Sequence, residues 1–275
     1  MRKLFFSSLV LGLLFVACDP QPDAIPDPVY PLKLLATDLT DMDSSALSYD
    51  AGRRLILFEQ HEPADEFASY LKPVYENNRL TAALIGISKN DITHKFKTFE
   101  YNAVGELIKA YSYEYGFDKY GRYDSLVYNA SGQIATIYVA AITEAGGSVA
   151  LFQKNVLEWD TNKNITKKYS IAMKDDKETK DTTVTVYTYD NKINYTAQQP
   201  ILFNLQMDEP ADGLSANNVL TATTSSGSDS EVISNVFTYD NENYPVTVTT
   251  TTKQLYNGVV VDTRQHSHKL TYVKL

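Results

Sequence analysis

His266 and His268 stand two residues apart, so on a strand both imidazoles point to one face, an arrangement that can supply two metal ligands. No third ligand is identifiable. The pair therefore reads as two histidines at the rim of a half-buried strand, sharing their face with Leu270 and Tyr272. Asp160, Asn162 and Asn164 have the alternation that opens an EF-hand loop, but Ile165 replaces the required Gly and Ile171 the closing Glu. A turn is expected there. Asp38, Asp41 and Asp43 read as solvated loop acids, and no metal centre or cofactor is expected.

Candidates for catalysis are few. Ser69 and Lys72 fit S-x-x-K, yet neither S-D-N nor K-T-G follows. His61-Glu62-Pro63 lacks a second His and carries Pro where a zinc-protease helix would continue, and neither G-x-S-x-G nor a P-loop occurs. Two carboxylates for glycoside hydrolysis would come from separate strands, which sequence spacing does not reveal. The chain thus reads as a non-enzymatic protein, with a carboxylate-pair hydrolase as the alternative. For binding, Tyr111, Tyr113 and Tyr115 alternate with Ser112 and Glu114, so three rings project from one face. Such rings suit sugar stacking or a protein hot spot; a cross-strand tyrosine ladder closing a core is the competing reading.

A recurring turn positions all of these residues. An aromatic residue is followed by Asp, Asn or Glu at 50, 76, 102, 129, 160, 190 and 240, as in Tyr101-Asn102-Ala103-Val104-Gly105 and Tyr128-Asn129-Ala130-Ser131-Gly132. The acid or amide can accept its own backbone two residues on, and Gly or Asn tolerates positive φ. The spacing accommodates two strands of about 8 to 10 residues per repeat, with a second set of turns at the opposite end. Candidates for that set are His61–Glu66, Lys89–Asp91, Gly116–Gly121, Glu144–Gly147, Lys174–Asp181 and Ser225–Asp229. Val184, Val186 and Thr188 alternate with Thr183, Thr185, Tyr187 and Tyr189, as strands require. The prediction is an all-β fold with little helix: one large curled antiparallel meander of about 14 to 16 strands. Two segments break the rhythm. Ala64–Leu71 could be a short helix stopped before Pro73, and Ala197–Asn218, with Pro200, Pro210 and Ile201-Leu202-Phe203, is expected to cover an edge or one end of the sheet.

The composition agrees: 20 Tyr and 11 Phe favour strands, and a single Cys excludes an internal disulfide framework. That Cys has a specific context. Arg2 and Lys3 precede an uncharged run ending in Phe15-Val16-Ala17-Cys18, which reads as a lipoprotein signal with Cys18 as the lipidated N-terminus. Acyl chains there would hold the chain on a membrane. The expected organisation is a signal at 1–17, a lipidated Cys and Pro/Asp-rich tether at 18–31, and a single all-β domain at 32–275. The net charge of −9 becomes two units more negative once Arg2 and Lys3 leave with the signal, which argues against nucleic acid as a partner.

The turn grammar is similar to the YD repeats of Rhs-type shells. The segments Leu214–Asn218 and Phe237–Thr252, with the closing Tyr272-Val273-Lys274-Leu275, resemble a family of uncharacterised envelope lipoproteins of Bacteroides and relatives. That resemblance implies an all-β fold and a cell-envelope, outer-membrane location, facing the periplasm or the exterior, and it brings no catalytic residue. The resulting expectation is an envelope-anchored binding or structural protein with a glycan or protein partner. A glycan hydrolase and a periplasmic assembly lipoprotein are the alternatives.

Overall fold

The computed structural model describes residues 33–274 except 63–66, 143–148 and 208. Cys18, the signal and the tether lie outside the described residues. Sixteen strands follow one another: β1 (Leu34–Leu39), β2 (Ser44–Tyr49), β3 (Leu55–Glu62), β4 (Phe67–Glu76), β5 (Arg79–Gly86), β6 (His94–Tyr101), β7 (Leu107–Tyr113) and β8 (Tyr120–Tyr128). They continue as β9 (Ile134–Ile142), β10 (Val149–Trp159), β11 (Ile165–Lys174) and β12 (Lys177–Ile193). After two short helices, α1 (Pro200–Gln206) and α2 (Pro210–Leu214), come β13 (Asn217–Ser226), β14 (Asp229–Tyr239), β15 (Pro245–Tyr256) and β16 (Val259–Val273).

Each strand pairs antiparallel with its chain neighbour, and β1 pairs with β16 from Leu34–Val273 to Leu39–Lys269, so the meander closes into a barrel. The all-β antiparallel meander and its strand number are as expected; the curl goes further than expected and closes the sheet on itself. Closure leaves no unpaired strand edge, which a sheet of this width would otherwise have to protect. Phe67–Glu76 is a strand, correcting the short helix expected over Ala64–Leu71. Leu71 faces Phe58 and Ile85 across both neighbours, and this period-two pattern outweighs helical propensity. Ser69 and Lys72 consequently lie on opposite faces.

Six of the seven aromatic–acidic turns join strands at one end of the barrel, beside the start of β1 and the end of β16; the seventh, expected at Tyr189-Asp190, is instead the last stretch of β12 at that same end. Asn102 Oδ1 accepts the backbone N–H of Val104 (3.1 Å) and Glu106 (2.9 Å), and Asp160 Oδ1 accepts those of Asn162 and Asn164 (both 2.8 Å). The third residue after the marker takes positive φ at Arg53 (66°), Gly105 (90°), Gly132 (74°), Lys163 (66°) and Asn243 (64°). Tyr75-Glu76-Asn77-Asn78 departs from this form: Asn77 and Asn78 both have positive φ, giving a two-residue hairpin.

The aromatic residues make a belt. Tyr75 donates its hydroxyl to Leu55 O (3.0 Å), Tyr101 to Leu80 O (2.8 Å), Tyr128 to Leu107 O (2.8 Å), and Trp159 its Nε1–H to Ile134 O (2.8 Å). Tyr49 and Tyr272 make the same link to Leu35 O and Pro245 O. Each bond joins two neighbouring strands at the turn end of the barrel, beyond the last pair of their ladder. Tyr239 breaks the series by bonding the Asp190 carboxylate instead.

The excursion between β12 and β13 covers this same end, as expected, but does so by entering the barrel. Sixteen strands enclose more space than wall side chains fill. Leu202, Phe203, Leu205 and Met207 join Leu55, Leu80, Leu107, Ile134, Leu157 and Ile165 in one buried cluster. Pro200 starts α1, and Met207 ends it in the left-handed region (φ 56°). Ser215, fully buried, accepts the Ile165 N–H at 3.1 Å, and Asn164 and Asn217 exchange hydrogen bonds of 3.1 and 3.0 Å, sewing the insertion to the 160–165 turn.

Candidate functional site

Because α1 and α2 fill the turn end, the remaining lumen forms a cup whose floor is the insertion and whose wall is the inward face of the strands. On one side of the floor a cavity of about 350 Å³ is lined by Asn194, Tyr195 and Asp212 of the insertion and by Asp38, Phe237, Val248, Thr250, His266 and His268 of the wall. The registers Val248–His268 and Thr250–His266 place both imidazoles inward, as their spacing predicts, with ring centroids 5.1 Å apart. Toward the other mouth the lumen continues as a cavity of about 710 Å³ between Phe152, Lys180–Thr183 and the Ser226–Asp229 turn.

Polar groups in the first cavity differ in what holds them. His268 Nδ1 lies 2.9 Å from Asp38 Oδ1, and that hydrogen bond raises the imidazole pKa above its usual value. Asn235 is spent on Val219 O and on the Thr250 hydroxyl. Asp212 faces the cavity from within the barrel. Desolvation, aided by the negative Glu209 and opposed by Lys168, pushes its carboxyl up to about 6. Tyr195 stacks edge-on against Tyr272, which in turn meets the buried Tyr244, and desolvation raises the Tyr195 phenol.

Across the lumen, β8, β9, β10 and β11 present a second cavity of about 350 Å³, lined by Arg122, Asp124, Gln153, Asn155, Lys168 and, from the floor, Glu209. Asp124 pairs with Val139 and Val139 with Gln153, so three inward side chains stand abreast. Asp124 is 1% exposed, and its Oδ1 is held by Arg122 Nη2 at 2.9 Å. Sequence reasoning missed both Asp124 and Asp212. The available signal was parity: Arg122 and Asp124 flank the outward Tyr123, a charged pair at inward positions of a strand.

The loop acids do not converge. Asp38 turns into the lumen, while Asp43 Oδ1 accepts the Thr40 hydroxyl at 2.6 Å. Asp160 serves its turn. Among the described residues no group of three or more His, Cys, Asp or Glu side chains could hold a metal ion. Tyr111 and Tyr113 lie on the outer face, where Tyr120 and Tyr123 join them, whereas Tyr115 stands beyond β7 and stacks on His94. The rings of the outer cluster are tilted by 56° to 83°, and Lys109 Nζ sits 4.4 Å from the Tyr123 centroid and 5.4 Å from that of Tyr111. Tyr111 donates to Glu100 Oε1 at 3.0 Å, and desolvation first, then that carboxylate, pushes its phenol up to about 12.

No protein-family model matches the chain, and no curated protein matches it. Among solved structures it is similar to a porin-like protein from Bacteroides uniformis, with 13% identity over 89% of this chain and 100% of that one, at a TM-score of 0.50. A porin-like protein from Bacteroides vulgatus gives 16% identity over 90% and 99% of the two chains, also at 0.50. At these identities the likeness establishes a shared all-β barrel architecture.

Proposed function

We propose that the chain is a cell-envelope lipoprotein, anchored through Cys18, whose barrel is a non-enzymatic binding cup for a glycan or protein partner. The observation that carries this reading is the partly filled lumen: among the described residues, an apolar, helix-filled floor lies beneath a wall of inward Asp, His, Asn, Gln, Arg and Lys side chains. Concave sites with a few placed polar groups on an apolar wall are the usual form of ligand pockets. The envelope location is supported by the signal before Cys18 and by the porin-like proteins of Bacteroides that share the architecture. The test is to incubate the purified barrel with envelope oligosaccharides and solubilised envelope proteins, measuring saturable binding and product release together. Binding without turnover is expected; turnover, or the absence of both, overturns the reading.

One observation favours the hydrolase instead. Asp38 and Asp212 face the same cavity, and an acid with a pKa near 6 is suited to protonating a leaving group. Hydrolysis that disappears in Asp212→Asn would establish it.

A further inference from the structure

Asp124 is buried at 1% exposure, yet its Oδ2 has no hydrogen-bond partner, because Arg122 Nε (3.3 Å) and Nη2 (2.9 Å) both address Oδ1. A buried carboxylate oxygen left unmatched is unfavourable, so this oxygen is an acceptor open to a donor from an occupant of the cavity. Beside it, Gln153 donates Nε2–H to Asn155 Oδ1 at 2.6 Å, and Ser170 donates to the same oxygen at 2.9 Å. Those bonds consume the acceptor of Asn155 and a donor of Gln153. They leave Gln153 Oε1 as an acceptor and Asn155 Nδ2 as a donor at the cavity. Lys168 Nζ is spent on both Glu209 oxygens, at 3.2 and 3.0 Å. The fixed charges therefore cancel: Arg122 against Asp124, Lys168 against Glu209.

An occupant must then be uncharged, must donate to a carboxylate and an amide oxygen, and must accept from an amide N–H. Neighbouring hydroxyl groups meet all three demands, since each O–H both donates and accepts. The remaining wall, Ile137, Val139, Met207 and Phe152, is apolar and matches the C–H face of a sugar ring. A volume of about 350 Å³ lies at the small-molecule end of ligand sites. We infer that the cavity of Asp124, Arg122, Gln153 and Asn155 is a carbohydrate subsite that takes a neutral, polyhydroxylated sugar unit, with the Asp124 carboxylate as its principal acceptor. This rests on the binding-cup reading and places the ligand inside the barrel, away from the outer tyrosines.

The experiment uses the chain with its signal and tether removed, titrated with unmodified neutral mono- and disaccharides and, in parallel, with uronic acids and amino sugars, binding being read by calorimetry. Neutral sugars should bind. Asp124→Asn and Gln153→Leu should each weaken them roughly ten-fold or more, while Tyr111→Ala leaves affinity unchanged and circular dichroism shows every variant folded. Should Asp124→Asn fail to fold, Gln153→Leu and Val139→Phe, which fills the cavity, carry the same test. Neutral-sugar binding indifferent to these changes overturns this site and leaves the cup reading standing. Preference for charged sugars overturns the ligand class. Binding of a protein partner with no sugar bound overturns the subsite alone, and no binding of any kind overturns both.

Discussion

Loss of one phenolic hydroxyl should matter very differently on the two faces of the wall. In Tyr128→Phe the Leu107 carbonyl loses its donor in a half-buried site, where burial has already pushed the phenol up to about 12. A cost of about 1 to 2 kcal/mol is expected in urea unfolding. Tyr111→Phe loses only an outer-face bond to Glu100 and should cost less than about 0.5 kcal/mol. Equal costs would remove the belt from any account of stability. Asp212 offers a pH signature. Its folded pKa, about 6, lies above the ordinary carboxylate value of 3.8, so the folded state binds the proton more tightly. Its contribution is therefore fully present below about pH 4 and is lost as pH rises through 6. Melting temperature followed from pH 4 to 7 should show Asp212→Asn gaining on the parent chain as pH rises; parallel curves would refute the shifted carboxyl. His268 titrates with the same sign, since Asp38 raises it. Its stabilisation holds below about pH 6.5 and fades above it, but it is common to both proteins and drops out of their difference.

Among the elements, the helical insertion depends on one close approach. A Cβ on Gly213 would stand 2.7 Å from Phe203 Cδ2 and 2.9 Å from Phe203 Cβ, the ring that α1 lays into the floor. Gly213→Ala should therefore push α1 and α2 apart and cost about 1 to 3 kcal/mol, in addition to loosening the floor under both lumen cavities. Chemical denaturation reads the first effect, and protection of α1 amides from hydrogen exchange the second. An unchanged midpoint would mean that the floor is not held by this contact. The turn markers at 50, 102, 129, 160 and 240 were legible in the sequence because an Asx side chain, its backbone partners and a positive-φ residue are all local; Asp190, which has no such residue, ends a strand instead. The strand at 69–72 was not, because Ser69 and Leu71 are set by neighbours on β3 and β5. The candidate site was legible only where two members lie on one strand, as with His266 and His268. Asp124 and Gln153 meet through three paired strands, and that meeting depends on register, which bulges such as the one between Leu151 and Gln153 shift by a residue.

At the scale of the whole barrel, the decisive property is which face meets water. A membrane-spanning barrel of this size carries an outward apolar band about 25 Å tall. Here the outward positions include Lys109 opposite Glu100, Lys154 bonded to Glu178 at 2.7 Å, and Tyr169 bonded to Glu158 at 3.0 Å. Threonine ladders run across the seams, Thr37 to Thr271 and Thr188 to Thr221, both at 2.6 Å. Exposed Val127, Val186 and Val236 are scattered among them. Mid-strand lysines in lipid would cost about 2 to 4 kcal/mol each, and the apolar cluster lies inside instead. Architecture shared with porin-like proteins therefore does not by itself carry lipid exposure with it, and in the reading proposed above the membrane attachment is assigned to Cys18. In detergent phase separation, the barrel beginning at residue 33 should stay in the aqueous phase as a monomer. The full chain expressed in a lipoprotein-processing host should enter the detergent phase, and Cys18→Ser should return it to the aqueous phase. Detergent partitioning of the isolated barrel would mean that the outer wall, despite its lysines, is the membrane-binding surface, and both the anchor and the cup would have to be reassigned.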